Sequence, residues 1–197
     1  MSRKGPVTSD TSTIALGLAQ IRVGSSSDNI AVDTATLSAS DSIGALANTK
    51  FTGNTDWYKL ESGFPLIEDY TTPIREGAQL ECSFKEITPL NMGLAYGYDP
   101  LATPFSGYEV HSGEVPLGAR SAPDYVRMEA VYTYPNGSNF MYIVAPRAQV
   151  SASVEVDLAE EDAAAVPVVF EFKRADSEMT GGDAVWDDRP LGRIYWT

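Results

Sequence analysis

One cysteine and one histidine are all that 197 residues contain of either type. A lone thiol excludes an internal disulfide. A single imidazole beside a single thiol excludes the His/Cys clusters that hold zinc and other transition metals. His111 lies on a segment broken by Gly113 and Pro116 with no nucleophile motif to serve, so a loop histidine is expected rather than a catalytic base. Long apolar runs are missing as well. Nothing approaches the roughly 20 apolar residues that cross a bilayer. The run Ile14–Ala19 behind Arg3 and Lys4 is too short and interrupted for a secretory core, so a protein made and kept soluble inside a cell is expected. Positive charge is scarce, with 14 basic against 27 acidic side chains and a formal net charge of −13. Such a chain repels nucleic-acid phosphates and anionic membranes.

The glycine pairs lack the spacing of a phosphate-binding or dinucleotide loop. Acidic clusters at Asp157–Asp162 and Asp183–Asp188 lack the calcium-loop spacing with its glycine, and solvated acidic turns are expected there. Carboxylate pairs such as Glu81 with Glu129 or Glu155 are the one arrangement on which glycosidase chemistry could rest. Aromatic residues make up 10% of the chain, yet no run of them recurs at strand period. No enzyme and no cofactor are expected.

What the chain does have is clearest at 78–97, AQLECSFKEITPLNMGLAYG. Ala78, Leu80, Cys82 and Phe84 alternate with Gln79, Glu81, Ser83 and Lys85, the period of a strand with one buried and one polar face. Thr88 then suits an N-cap and Pro89 the first helical position; Leu90, Leu94 and Tyr98 recur at helical spacing, and Gly97 offers a stop. Cys82, on the apolar side, reads as a buried small hydrophobe.

The remaining segments read mostly as strands and turns. Residues 13–23 form a first strand whose alternation slips near Ala19–Ile21, and 24–49 are a long Ser/Thr/Asp-rich connection that packs on something. Residues 50–60 are a strand or hairpin arm anchored by Trp57 or Tyr58. Residues 62–77 are extended, a hairpin arm or an irregular loop. Their apolar side chains Phe64, Leu66, Ile67, Tyr70 and Ile74 are too many for a solvated loop and need a surface to cover. Residues 107–123 suggest an edge strand. A strand over 125–134 turns at Asn136-Gly137, a strong hairpin signal, into 139–145, and beyond Pro146 a further strand follows. Residues 166–175 are the last strand expected. About seven strands and one helix, with no repeat, predict a single domain over 1–197: an antiparallel β-sandwich or open barrel with one short packed helix.

Three stretches, 42–53, 62–97 and 149–178, give the chain a resemblance to the major tail (tail tube) proteins of long-tailed bacteriophages. There, too, a glycine-bearing connection feeds a strand, a long extended loop follows, and a strand ending near a glutamate (Glu86 here) turns into a short helix. A hairpin with a glycine turn then leads to the closing strands. The resemblance covers about two-thirds of the chain. It implies a structural virion protein that forms hexameric rings stacked into a hollow tube, made in the host cytoplasm and delivered in the virion tail. The implied partners are other copies of the chain, tape-measure, terminator and baseplate proteins, and double-stranded DNA as passing cargo, with no membrane. In such a ring the polar strand faces line the lumen: Gln79, Glu81, Ser83 and Lys85, with Gln149, Ser151, Ser153 and Glu155. Residues 62–77, with Phe64, Leu66, Ile67, Tyr70 and Ile74, and the N-terminal arm 1–12 are assigned to contacts between rings. Competing readings are another β-rich virion component, such as a capsid decoration or tail-completion protein, and a carbohydrate-binding or glycosidase-like sandwich.

Overall fold

The structure, a computed structural model, describes residues 17, 19–27, 29–98, 115, 117, 123–150, 154–156 and 164–197. Within them the fold is mainly β. The strands β1 (Gln20–Ser25), β2 (Leu46–Ser62), β3 (Ile67–Phe84), β4 (Val126–Thr133), β5 (Phe140–Val150), β6 (Val166–Phe172) and β7 (Arg193–Trp196) accompany one helix, α1 (Pro89–Ala95). All seven strands join one antiparallel sheet in the order β1-β4-β5-β6-β3-β2, with β7 also on β5, and the sheet does not close. The expected edge strand at 107–123, apart from residues 115, 117 and 123, which are not strand, and most of the first strand before Gln20 lie outside the described residues.

The inner face carries the core. Ile21 and Val23, Met128 and Ala130, Ile143 and Ala145, Val168 and Phe170, and Leu80, Cys82 and Phe84 form one buried cluster, closed by Leu94 and Ala95 of α1. Burial pushes the Cys82 thiol up to about 12, so it stays protonated and inert. The helix starts where its cap chemistry directs. Thr88 Oγ1 accepts a hydrogen bond from Asn91 N at 3.1 Å, Pro89 opens the first turn, and Gly97 adopts φ +79° just past the end.

Two expectations need correction. The residues on either side of Pro146 are one strand, Phe140–Val150, since β5 runs through the proline. Its ladder to β7 ends at Val144, its ladder to β6 starts at Ala148, and opposite β4 an extra residue is inserted between Ala145 and Ala148. A proline costs little at such a bulge because no ladder bond needs its missing N–H. The extra residue also keeps Ile143, Ala145, Ala148 and Val150 all facing the core. The tail, in turn, holds a strand that its composition hides: β7 pairs Tyr195 with Tyr142, their rings stacked at 4.9 Å.

The long connection after β1 packs on the outer face of β4, β5 and β7. There a second, smaller cluster forms from Val144, Ala175 and Trp186, with Ile30, Ala35 and Tyr195 against it. A buried ion pair, Arg127 Nε to Glu129 Oε1 at 2.7 Å, secures it. Arg127 also donates to the carbonyls of Asn29, Val32 and Thr34. Glu129 accepts from the amides of Thr36 and Leu37. Trp186 Nε1 donates to Ile30 O, and Arg189 and Arg193 both reach Asp33 at 2.7 Å. The connection is thus a strap, held mainly through its backbone.

Candidate assembly surfaces

Among the described residues the strap leaves the other half of the outer face open, over β6, β3 and β2. Gln79, Glu81 and Ser83 stand there on one side of β3, because residues two apart in a strand share a face. Gln79 is in register with Glu171 of β6, and Glu171 with Gln149 of β5, so the two predicted polar rows meet across one intervening strand. Lys85 follows the end of β3 and is exposed. Glu155 is exposed between the partly buried Val154 and Val156. Ser151 and Ser153 lie outside the described residues.

Charges on this open face come in pairs. Lys50 reaches Glu81 at 3.2 Å and Lys173 reaches Glu171 at 2.6 Å, while Asp56 sits in register with Arg75. The hydrogen bond from Lys50, then that from Gln79, holds the Glu81 carboxyl below its ordinary range. The alternation of Lys50, Thr52, Asn54 and Asp56 was the signal for this face on β2; reading 50–60 as a strand around an aromatic anchor passed over it. Of the carboxylates weighed for glycosidase chemistry, Glu81 and Glu129 do not converge. Glu129 is fully buried in its strap contacts on β4, and two strands, β5 and β6, separate it from Glu81 on β3. Among the described residues no group of three or more His, Cys, Asp or Glu gathers to hold a metal. In the cluster Asp183–Asp188, Asp183 Oδ1 caps a short 3-10 helix through Val185 N, and Asp187 Oδ1 accepts from Ser177 N. His111, the cluster Asp157–Asp162 and the N-terminal arm 1–12 lie outside the described residues.

The second surface is the β2–β3 hairpin. Its strands span 17 and 18 residues. β3 pairs with β6 only from Gln79 to Phe84, so residues 67–77 run beyond the body as a two-stranded arm. At roughly 3.3 Å per residue that arm reaches about 35 Å. The stretch 62–77 is therefore mostly strand, with a turn only at 63–66. Trp57 and Tyr58 are no core anchors: both stand half exposed on the arm, as does Leu60. Phe64 is fully exposed at the turn, and Leu66, Ile67, Tyr70 and Ile74 are all more than half exposed. Ile74 is the extra residue of a bulge between the pairs Asp56/Arg75 and Trp57/Pro73. Near the tip Lys59 pairs with Glu68 at 2.7 Å, and Thr71 also donates to Glu68. Where the arm leaves the body, a cavity of about 460 Å³ opens between Arg75, Glu76 and Gln79 on one side and Glu171 and Lys173 on the other.

No protein-family model matches this chain, and no curated protein matches it.

Proposed function

We propose that this protein is the subunit of a phage tail tube, a structural virion protein that forms stacked hexameric rings around a lumen that conducts the DNA genome. The observation that carries the proposal is the free hairpin arm. A two-stranded ribbon is at best marginally stable alone in water, and this one displays large apolar side chains that nothing among the described residues buries. The outer edge of β2 also has no neighbouring strand among the described residues. An open ladder of this length is completed by another chain. Copies related by rotation complete it around a common axis, extending each open sheet into a ring-shaped barrel.

The open polar face suits a lumen wall. Each Lys– or Arg–phosphate contact adds affinity by releasing counterions. Cations already paired with carboxylates, as Lys50 and Lys173 are, leave that attraction largely cancelled, so a duplex slides past a hydrated wall. The partners are then the chain itself, tape-measure, terminator and baseplate proteins, with DNA as cargo and the virion tail as the location.

Negative-stain microscopy of the concentrated protein tests this. Hollow tubes of constant bore are expected. Monomers, trimers or single rings at every concentration overturn it in favour of a decoration or completion protein, and isolated globules with sugar affinity in favour of a carbohydrate-binding module.

A further inference from the structure

The turn that joins β4 to β5 carries a reactive pair. Of Asn29, Asn48, Asn54, Asn91, Asn136 and Asn139, only Asn136 precedes a glycine. The main-chain nitrogen after an asparagine can attack that asparagine's Cγ, and a glycine there has no side chain to crowd the approach. Residues 135–139 are exposed, so water and solvent base reach the pair. The folded turn, however, engages each group that the reaction needs. Gly137 N, the nucleophile, donates to Tyr134 O at 2.9 Å. Asn136 Oδ1 accepts from Ser138 N and Asn139 N, both at 3.1 Å, which pins Cγ. Tyr134 N donates to Asn139 O at 3.0 Å and closes the loop beneath them. An amide nitrogen becomes a nucleophile only after losing its proton, and a proton shared with a carbonyl oxygen is harder to remove. The Gly137 nitrogen must also turn away from Tyr134 O before it can bond to Cγ.

We infer that Asn136-Gly137 is a self-modification site which the folded turn holds closed, and that each opening of the hairpin exposes it to reaction. In the opened turn a solvent base takes the Gly137 amide proton, and the nitrogen forms a bond to Asn136 Cγ. The Cγ–Nδ2 bond breaks, Nδ2 leaves as ammonia, and a cyclic imide remains. Water then adds to one of the two imide carbonyls, and the ring C–N bond at that carbon breaks. Addition at Cγ gives aspartate; addition at the main-chain carbonyl carbon gives isoaspartate. Nothing is oxidised or reduced, and water is the only co-reactant. The two products part ways in the fold. Aspartate keeps its carboxylate oxygens for Ser138 N and Asn139 N and closes the turn again. Isoaspartate runs the main chain through Cβ and Cγ, a methylene longer, so the bond from Gly137 N to Tyr134 O no longer fits. A subunit whose hairpin has opened for long enough is thus marked, and the isoaspartyl mark keeps the hairpin open.

Ageing the full chain at one mildly alkaline pH tests this, with dilute folded subunits beside the same protein unfolded in guanidinium chloride. Peptide mapping by mass spectrometry follows loss of the Asn136 amide, with Asn139 in the same peptide as the internal control. Conversion at Asn136 is expected in the unfolded chain, with isoaspartate among the products, and at least about tenfold more slowly in the folded one, because reaction waits on local opening. Asn139 is expected to keep its amide in both. After refolding of the aged chain, hydrogen exchange is expected to show the Gly137 amide protected in the aspartyl fraction, as in Asn136→Asp protein, and unprotected in the isoaspartyl fraction. No conversion in the unfolded chain overturns the site. Equal rates in the two samples overturn the closed turn, and a Gly137 amide protected equally in both fractions overturns the mark. Each result is independent of whether the subunits form tubes.

Discussion

Replacing Glu129 by glutamine isolates what the buried ion pair contributes. The carboxylate has no exposure and lies within hydrogen-bonding reach of Arg127 Nε at 2.7 Å, Thr36 N at 2.9 and 3.1 Å and Leu37 N at 3.0 Å. Every one of these partners is a donor. Glutamine keeps the shape but offers one acceptor oxygen, and its amide nitrogen turns two hydrogens toward groups that have only hydrogens to give. It also leaves the Arg127 guanidinium, likewise fully buried, without a counter-charge. Removing one partner of a buried pair costs about 3–5 kcal/mol. For a chain of this size each kcal/mol moves the melting temperature by roughly 2–4 °C, so a fall of about 6–20 °C in Tm is expected. Hydrogen exchange adds a local readout, with the Thr36 and Leu37 amides losing protection well before the β4 and β5 amides do. A Tm within about 3 °C of wild type (about 1 kcal/mol), with those two amides still protected, would refute the view that the pair holds the strap.

Other outcomes follow from single contacts. Gly182→Ala places a Cβ 1.9 Å from Asp176 O and 2.6 Å from Ala175 O, both backbone atoms. A loss at or above the top of the roughly 1–3 kcal/mol overpacking range is expected in denaturant melts, and an unchanged midpoint contradicts the close approach. At the arm's tip the hydrogen bond from Lys59, then that from Thr71, holds the Glu68 carboxyl below its ordinary 4.5, and the same pairing raises Lys59 above 10.5. The carboxylate's contribution is present above 4.5 and fades as pH falls through the lowered value; the ammonium's is present below 10.5 and fades as pH rises through the raised one. An NMR titration of Glu68 with its midpoint at or above 4.5 contradicts the pairing. Glu81→Lys breaks an exposed pair that water already screens, so the subunit's Tm stays close to wild type. In assembled particles it is expected to slow genome ejection in a salt-dependent way; unchanged ejection removes Glu81 from the lumen wall.

Local chemistry was legible in the residues where a short stretch decides the outcome. Thr88-Pro89 starts the helix where the cap and the missing N–H require it, and Asn136-Gly137 closes a hairpin with Gly137 at φ +71°. The burial of Arg127 and Glu129 was not legible, because charged residues two apart on a strand have the pattern of a solvated face; only the strap, about 90 residues earlier in the chain, makes that face interior. Pro146 misled because a proline argues against a central strand unless a bulge on one side coincides with a change of neighbour on the other, which is a property of three strands at once. The polar row from Gln79 to Gln149 was legible as alternation on each strand. Its meeting through Glu171 was not, since register between distant strands follows from packing and leaves no local mark.

The positions of the tryptophans make this chain its own indicator. Trp186 is sealed beneath the strap with its indole N–H on Ile30 O, so its emission is insensitive to concentration as long as the fold holds. Trp57 projects into water on the arm, and whatever comes to shelter the arm shifts its fluorescence to shorter wavelength. A dilution series in a plain cuvette, with Trp57→Phe as the blank, therefore separates unfolding from dissociation without a label.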